Sequence, residues 1–266
     1  MKIGFIGCGN MAKAIIAGII NNSIEENRNI YAFDINTQKL NEYCAQSGIN
    51  SAISNEQIID ACSEIILCVK PQNFNDALSK LKCNNEDKLF ISIAAGTDIK
   101  KIESLLGSSA KIARIMPNLN ATIGYSTSAV CFNKNCDDND KNTTKNIFKS
   151  IGEIYELDEE YFSAFSAACC CSPAFTFMYI NALCKGTEEC GLDKKIAFES
   201  AANSVIGSAK MLLNSDKEPA ELVKMVCSPG GTTIEGVKSL QSDEFENAVK
   251  SAVKASYKRD KELLGE

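Results

Sequence analysis

A glycine-rich segment near the N-terminus has a spacing that can bind a phosphate. Gly7, Gly9 and Ala12 form the pattern GxGxxA between an apolar run, Lys2–Ile6, and a helical pattern that begins at Met11. In a strand-turn-helix context this pattern is typical of dinucleotide binding, because small residues let the backbone and the free N–H groups of the helix approach a pyrophosphate. An ordinary glycine-rich turn is the alternative interpretation.

A carboxylate closes the next predicted strand. Asp34 follows Ile30–Phe33, where an acidic side chain accepts hydrogen bonds from the two hydroxyls of an adenosine ribose. The same charge would repel a 2′-phosphate, so the sequence predicts NADH in preference to NADPH, although Lys39 could offset part of the repulsion. In the alternative interpretation, Asp34 is only a helix N-cap before Asn36–Leu40.

Three other short segments end predicted strands, namely Val69–Gln72, Ala94–Thr97 and Met116–Asn118. In open α/β sheets the ligand lies in the crevice beyond the carboxyl ends of the strands, so these segments together outline one rim. The small residues Ala94–Gly96 would let the ribose of a nicotinamide lie against the backbone. Taken singly, each segment is an ordinary turn.

The C-terminal half contains one segment suited to a carboxylate, Cys227–Thr233, with the sequence CSPGGTT. Pro229 fixes the chain, Gly230 and Gly231 keep side chains out of the approach, and a predicted helix then begins with free N–H groups and two hydroxyls. Backbone N–H groups at the positive end of a helix suit a bound carboxylate. A simple connection between two helices is the alternative.

Composition excludes several classes of function. The chain of 266 residues contains no His, which removes Ser-His-Asp and Cys-His nucleophile pairs, HExxH zinc sites and a histidine general base. The net charge of -6, with scattered Lys residues, gives no basic surface for nucleic acid. The 13 Cys are odd in number and include no CxxC pair, so we expect reduced thiols in a cytoplasmic protein, with no metal site and no disulfide framework. We expect no membrane span, because no apolar run reaches roughly 18 residues.

The predicted secondary structure that positions these segments changes near residue 158. Short apolar runs alternate with helical patterns over residues 1–158, which predicts a doubly wound, mainly parallel sheet. Over residues 159–266 the strand signal disappears, and successive helical patterns predict an all-helical domain. The polar stretch Asp137–Thr144 predicts a loop that opens a helix. The predicted strands are Lys2–Ile6, Asn29–Phe33, Ile49–Ile53, Glu64–Val69, Lys88–Ile93, Lys111–Met116, Thr127–Cys131 and Glu153–Leu157. The predicted helices are Met11–Ile20, Thr37–Ser47, Asn73–Leu81, Asp98–Leu106, Pro173–Cys190, Asp193–Leu213, Pro219–Val226, Thr232–Leu240 and Asp243–Leu264.

With these motifs in this order, the chain resembles the pyrroline-5-carboxylate reductase family along essentially its whole length. The CSPGGTT segment is the most specific of the shared motifs. The segments that carry the resemblance are Gly4–Ala12, Val69–Pro71, Ser92–Gly96, Arg114–Asn118, Ser172–Phe175, Gly207–Leu212 and Val226–Ile234.

The resemblance implies an NAD(P)H-dependent enzyme that reduces 1-pyrroline-5-carboxylate to L-proline, the last step of proline biosynthesis. It implies a Rossmann-type domain followed by a helical dimerisation domain, with an active site between the domains of an intertwined homodimer that often assembles further into a decamer. The implied cofactor contacts are Gly7, Cys8, Gly9, Asn10, Met11, Ala12, Asp34, Asn55, Cys68, Val69, Lys70, Pro71, Ala94, Ala95 and Gly96. The implied substrate contacts are Ser228, Gly230, Gly231, Thr232 and Thr233, with the Thr233 hydroxyl at the ring nitrogen as the catalytic group.

The sequence departs from the family pattern at two places. Cys170 and Cys171 precede Ser172-Pro173, where the family usually has Gly-Ser-Gly-Pro or Gly-Ser-Ser-Pro. Loss of the glycine adds volume and removes φ freedom, so we expect a changed backbone or subunit contact there. Leu119 and Asn120 replace the Thr-Pro pair of the family, which puts any role of that pair in doubt.

Two other functions fit parts of the sequence. A hydroxyacid dehydrogenase of the Rossmann-plus-helical type needs a catalytic Lys one helical turn before an Asn, as in Lys210 and Asn214, although that pair also fits a solvated helix end. A non-catalytic dinucleotide-binding scaffold is supported only by the altered Cys170-Cys171 segment. Thiol redox chemistry at Cys169–Cys171 would need a disulfide geometry that adjacent cysteines rarely reach.

Overall fold

Short apolar runs in the first part of the chain pair into one sheet. The computed structural model describes residues 1–78 and 87–265. The strands in these residues are β1 Ile3–Ile6, β2 Ile30–Phe33, β3 Asn50–Ser51, β4 Glu64–Leu67, β5 Leu89–Ser92, β6 Lys111–Met116, β7 Ser126–Phe132 and β8 Gly152–Glu156. Their order across the sheet is β3-β2-β1-β4-β5-β6-β7-β8. The first six strands along the chain are mutually parallel, whereas β7 is antiparallel to β6 and parallel to β8.

This topology confirms the predicted doubly wound, mainly parallel sheet. The central strands are apolar on both faces because helices cover both faces: Ile3 and Phe5 of β1 belong to one buried cluster, and Ile6 belongs to the other. The edge strand β3 is shorter than the predicted run Ile49–Ile53. Because β1 lies between β2 and β4, the chain order reverses there, which creates the crevice where such sheets bind ligands.

The helices of this part alternate with the strands. Several begin at a side chain that accepts a backbone N–H: Asn36, Ser54, Asp98 and Asp137 are N-caps. Asp137 opens the predicted helix through a capping box. The helices are α1 Asn10–Asn21, α2 Thr37–Ser47, α3 Asn55–Ala61, α4 Phe74–Leu78, α5 Ile99–Leu106, α6 Asp138–Lys149 and α7 Phe162–Phe165. The end of the predicted helix Asn73–Leu81 lies outside the described residues.

The remaining described chain is helical, as predicted. The helices are α8 Ser172–Glu189, α9 Lys194–Leu213, α10 Pro219–Val226, α11 Thr232–Ser242 and α12 Phe245–Leu264. Residues Cys171–Ser256 form one compact unit, and Met1–Cys170 together with Tyr257–Glu266 form the other. The division into residues 1–158 and 159–266 stays a prediction.

Candidate functional site

The turn after β1 requires glycine for two reasons. Gly7 has φ +94, a conformation that L side chains rarely adopt, and its N–H donates to Phe33 O at 2.8 Å. A Cβ at this position would lie 2.8 Å from Cys68 O, so even alanine would collide with the neighbouring backbone. The tight turn that the GxGxxA pattern predicts is therefore present.

The helix after this turn has an open N-terminus. Gly9 is the N-cap of α1 and supplies no side-chain cap, and a Cβ at Gly9 would have no heavy atom within 4 Å. The first turn of α1 carries no acidic residue, while Ala12 is fully buried. Free N–H groups at a helix N-terminus with clear space in front of them fit a dinucleotide pyrophosphate.

Asp34 is held by two backbone N–H groups. Its Oδ2 accepts from the N–H of Cys8 at 2.8 Å, and its Oδ1 accepts from the N–H of Asn36 at 2.9 Å. The N-cap of α2 is Asn36, whose side chain accepts from the N–H of Lys39. Asp34 is therefore not the cap, and its carboxylate retains acceptor capacity for other donors.

Three thiols lie in or near the glycine turn, of which Cys8 and Cys44 are buried and Cys68 is partly buried. Burial raises the pKa of Cys8 to about 11, and burial raises the pKa of Cys68 further. Burial also raises the pKa of Cys44, which lies near Cys8. These thiols stay protonated at neutral pH and act as small apolar side chains rather than as nucleophiles.

The other predicted cofactor contacts follow neighbouring strands at the same edge of the sheet. Cys68–Pro71 follow β4, and the N–H of Cys68 donates to Ile6 O at 2.8 Å. Ala94, Ala95 and Gly96 follow β5, where Ala94 is buried and Gly96 has φ +64. Because β2, β1, β4 and β5 are neighbours, their carboxyl ends form one continuous rim.

Asn55 contributes an unsatisfied acceptor. It is the first residue of α3, after β3, and its Nδ2 donates to Ala77 O at 3.1 Å. Its Oδ1 is buried and has no hydrogen-bond partner among the described residues. A ligand that carries a donor would satisfy this atom. Helix α3 was not predicted, although Ser54 followed by Gln57 is a recognisable helix start.

The segment after β6 contacts the altered cysteine segment. The Nδ2 of Asn118 donates to Cys169 O at 2.9 Å, and the thiol of Cys170 donates to Pro117 O at 3.5 Å. Residues Ser166–Cys170 form a short π-helix, and none of them has positive φ. The φ freedom of a glycine at Cys170 is thus not needed in this backbone.

The CSPGGTT turn joins α10 to α11. Gly230 has φ +69, and the N–H of Gly231 donates to Ser228 O at 3.0 Å. Gly231 is the N-cap of α11 without a side-chain cap, and Thr232 and Thr233 are exposed in the first turn. A Cβ at Gly230 would have no heavy atom within 4 Å. At Gly231, by contrast, a Cβ would collide with Ser228 Oγ. The turn is a helix N-terminus without a side-chain cap, flanked by hydroxyls, which fits a small carboxylate.

Lys210 and Asn214 lie at the C-terminal end of α9. Asn214 is the C-cap of α9, and its Nδ2 donates to Lys210 O at 2.8 Å. Lys210 itself is exposed. This geometry does not favour the hydroxyacid dehydrogenase alternative.

One partly buried ion pair was not predicted from the sequence. Arg114 and Glu159 lie 2.9 Å apart, with Arg114 only 1% exposed and the Glu159 side chain 30% exposed. A charged residue in the middle of an apolar strand is the signal that a buried partner exists, but it does not reveal which one.

Two family models match the chain. The model described as pyrroline-5-carboxylate reductase dimerisation matches residues 159–263. The model described as NADP oxidoreductase, coenzyme F420-dependent, matches residues 2–96. Together they support a nicotinamide dinucleotide cofactor and an oligomer.

Similar proteins span nearly the whole chain. A pyrroline-5-carboxylate reductase of Methanosarcina acetivorans is 37% identical over 98% of this chain and 97% of its own length. One of Escherichia coli K12 is 35% identical over 98% of each chain. The crystal structure of a Plasmodium falciparum pyrroline carboxylate reductase with NADP bound has a TM-score of 0.89 and 31% identity, over 99% of this chain and 98% of that chain. This chain therefore belongs to the pyrroline-5-carboxylate reductase family.

Proposed function

We propose that this protein reduces 1-pyrroline-5-carboxylate to L-proline with a reduced nicotinamide dinucleotide. The observation that carries this proposal is full-length membership of the family, in a chain whose GxGxxA and CSPGGTT turns both lead into a helix N-terminus without a side-chain cap. A scaffold that only binds a dinucleotide would have no need of the second turn. Cys170 and Cys171, where the chain departs from the family pattern, belong to neither turn.

The rim at the carboxyl ends of β3, β2, β1, β4 and β5 holds the cofactor, whose reduced nicotinamide supplies a hydride when it is bound. The N–H groups at the start of α1 take the pyrophosphate, in the segment Gly7–Ala12. Asp34 takes the adenosine ribose and favours NADH, because a fixed carboxylate would repel a 2′-phosphate. Asn55, Cys68–Pro71 and Ala94–Gly96 complete the contacts.

The CSPGGTT turn holds the substrate. Because the N–H of Gly231 already donates to Ser228 O, the substrate carboxylate relies on the N–H groups of Gly230 and Thr232 and on the Ser228 hydroxyl. The Thr233 hydroxyl meets the ring nitrogen. No side chain has to deliver a proton to that nitrogen when the imine binds as an iminium ion, because its C=N bond is already electrophilic.

The chemical step then needs orientation more than acid-base catalysis. A hydride adds to the iminium carbon, and the electron pair of the C=N bond becomes the lone pair of the ring nitrogen. The product amine takes up a proton from solvent. This chemistry is compatible with a chain that contains no His.

The helical part forms a homodimer with a second copy of the chain, and dimers assemble further into a decamer. In residues Cys171–Ser256 large apolar side chains are widely exposed, including Met178 at 71% and Phe198 at 61%. An apolar groove of about 960 Å³ runs along α8, between residues such as Tyr179, Leu240 and Val249. Exposed apolar surface of this extent is typical of subunit interfaces.

The same surface explains one departure from the sequence analysis. Among the described residues, the helical stretch Glu159–Glu189 is long and apolar enough to cross a membrane by length and composition. This stretch opens the segment that matches the dimerisation model, so we assign the exposed apolar side chains that it contributes on α8 to subunit contacts. The protein then acts in the cytoplasm.

The Thr233 hydroxyl provides a sharp test of this function. Thr233→Ala removes the contact to the ring nitrogen, and a hydrogen bond to a charged group contributes about 1.5–3 kcal/mol, so kcat should fall about 10- to 100-fold. The Kd for NADH should stay within about twofold. Thr233→Ser retains the hydroxyl and should keep most of the activity; wild-type kcat in Thr233→Ala would remove Thr233 from the mechanism.

A further inference from the structure

Strand β6 carries a buried arginine that the proposed reaction does not use. Arg114 lies between Ile112 and Met116, on the face where both belong to a buried apolar cluster. Phe162 covers the guanidinium, with its ring centroid 4.7 Å from the central carbon. Among the described residues, Arg114 Nε and Nη2 have no hydrogen-bond partner. In the part of the chain that the structure describes, the positive charge of Arg114 is therefore balanced by one ion pair, with Glu159.

That partner makes two contacts through a single oxygen. Glu159 Oε1 accepts from Arg114 Nη1 at 2.9 Å and from the backbone N–H of Ile99 at 2.9 Å. Ile99 is the first residue of α5, and the first N–H groups of a helix have no acceptor within it. The carboxylate thus joins the interior of the sheet to the start of α5.

Helix α5 directly follows the cofactor turn, which we define as Ala94–Thr97. The entry of this turn is fixed by the N–H of Ile93, which donates to Leu67 O at 3.2 Å. Its exit is fixed by Asp98, which accepts from Lys101, and by Glu159 at Ile99. The contact between Glu159 and the N–H of Ile99 involves Arg114, because Arg114 binds the same carboxylate oxygen.

We propose that Arg114 and Glu159 are positioning residues for the nicotinamide cofactor, because they fix the exit of the cofactor turn. This inference rests on the proposed role of that turn in cofactor binding. Arg114 is fully enclosed while Glu159 is 30% exposed, and the desolvation of the arginine offsets much of the attraction between them, so stability alone explains the pair poorly. A fixed backbone position beside the cofactor gives the pair a role in binding.

The test compares two substitutions of the full-length protein. Glu159→Ala removes both contacts, whereas Glu159→Gln keeps an acceptor oxygen for Ile99. In the cofactor-free protein, amide hydrogen exchange at Ile99 should become at least about tenfold faster in Glu159→Ala and change little in Glu159→Gln. The Kd for NADH, measured by fluorescence titration, should rise about tenfold in Glu159→Ala only. The KM for the cyclic imine should stay within about twofold.

A matched control separates positioning from stability. Lys111 starts the same strand and pairs with Asp140 at 2.9 Å, at the end opposite to the cofactor turn. Lys111→Met should lower the melting temperature without changing the Kd for NADH, whereas Arg114→Met should change both. If Glu159→Ala does not fold, Glu159→Asp keeps the charge opposite Arg114 but is too short to reach both partners, and it should weaken NADH binding about threefold.

Three outcomes would overturn the inference. The first is an unchanged Kd for NADH in folded Glu159→Ala or Glu159→Asp. The second is faster amide exchange at Ile99 in Glu159→Ala without weaker binding of NADH. The third is an equal change in the Kd for NADH in Arg114→Met and Lys111→Met. A wild-type protein that binds NADH but does not reduce the imine would contradict the proposed function and leave this inference standing.

Discussion

The Asp34 carboxylate should decide which dinucleotide the protein prefers. Two backbone N–H groups at 2.8 and 2.9 Å hold it, so it cannot turn away from a 2′-phosphate. Two unit charges 4 Å apart repel by about 4 kcal/mol at an effective dielectric constant of 20, and water screens part of this. A net penalty of about 1.4–2.8 kcal/mol corresponds to about 10- to 100-fold in favour of NADH.

Asp34→Ser removes the charge with little change to the turn. A serine hydroxyl can still accept from the N–H of Asn36, while the N–H of Cys8 becomes available to a phosphate. NADH also loses a charged acceptor for its ribose hydroxyls, which contributes about 1.5–3 kcal/mol. The ratio of kcat/KM for NADH to that for NADPH should therefore fall about 100-fold or more.

The assay is steady-state oxidation of each cofactor at saturating 1-pyrroline-5-carboxylate. Asp60→Ser is the control, because it removes one exposed negative charge from the end of α3 without touching the turn. It should leave the ratio within about twofold. A wild-type preference for NADPH, or a ratio in Asp34→Ser within about threefold of wild type, would refute the role given to Asp34.

Two other substitutions test the turn and the dimer. Gly7→Ala should destabilise the fold by more than the 1–3 kcal/mol or so of strained φ alone and should abolish NADH binding, because its Cβ would lie 2.8 Å from Cys68 O. Gly107→Ala is the control, because Gly107 has φ +104 but open space around it, so the substitution adds backbone strain without a collision. Thermal unfolding measures both variants, and an equal loss of stability would show that the collision at Gly7 contributes nothing. Met178→Glu should shift the protein towards monomers in light scattering, whereas Met178→Leu should not; an unchanged mass in Met178→Glu would remove this face from the interface.

Local patterns predicted the candidate segments that are continuous in sequence, and these segments stay candidates for the site. The glycine turn and Asp34 follow apolar runs that predict strands of a parallel sheet, and parallel pairing brings the ends of such strands to one edge. The CSPGGTT turn was visible because Pro and Gly interrupt two helical patterns. The pairing of β2 with β1 places the Asp34 carboxylate against the N–H of Cys8, a contact that the sequence did not predict.

Contacts between distant segments were not predictable from those patterns. Nothing in the sequence near Arg114 indicates that Glu159 supplies its counter-charge, or that the same oxygen caps α5 at Ile99. The edge strand β3 is shorter than its apolar run, because a run of buried residues does not by itself show how many of them pair. The long apolar stretch that begins at Glu159 was not predicted, because Ser, Thr and Asn residues interrupt its apolar runs although it contains few charged residues.

Reduction of the cyclic imine by the purified protein is the decisive observation. Purified full-length protein is mixed with racemic 1-pyrroline-5-carboxylate and either NADH or NADPH, and cofactor oxidation and proline are both followed. We expect oxidation that depends on the imine, an equal amount of L-proline, and a higher kcat/KM with NADH. Cofactor binding without proline formation from either dinucleotide would contradict this expectation.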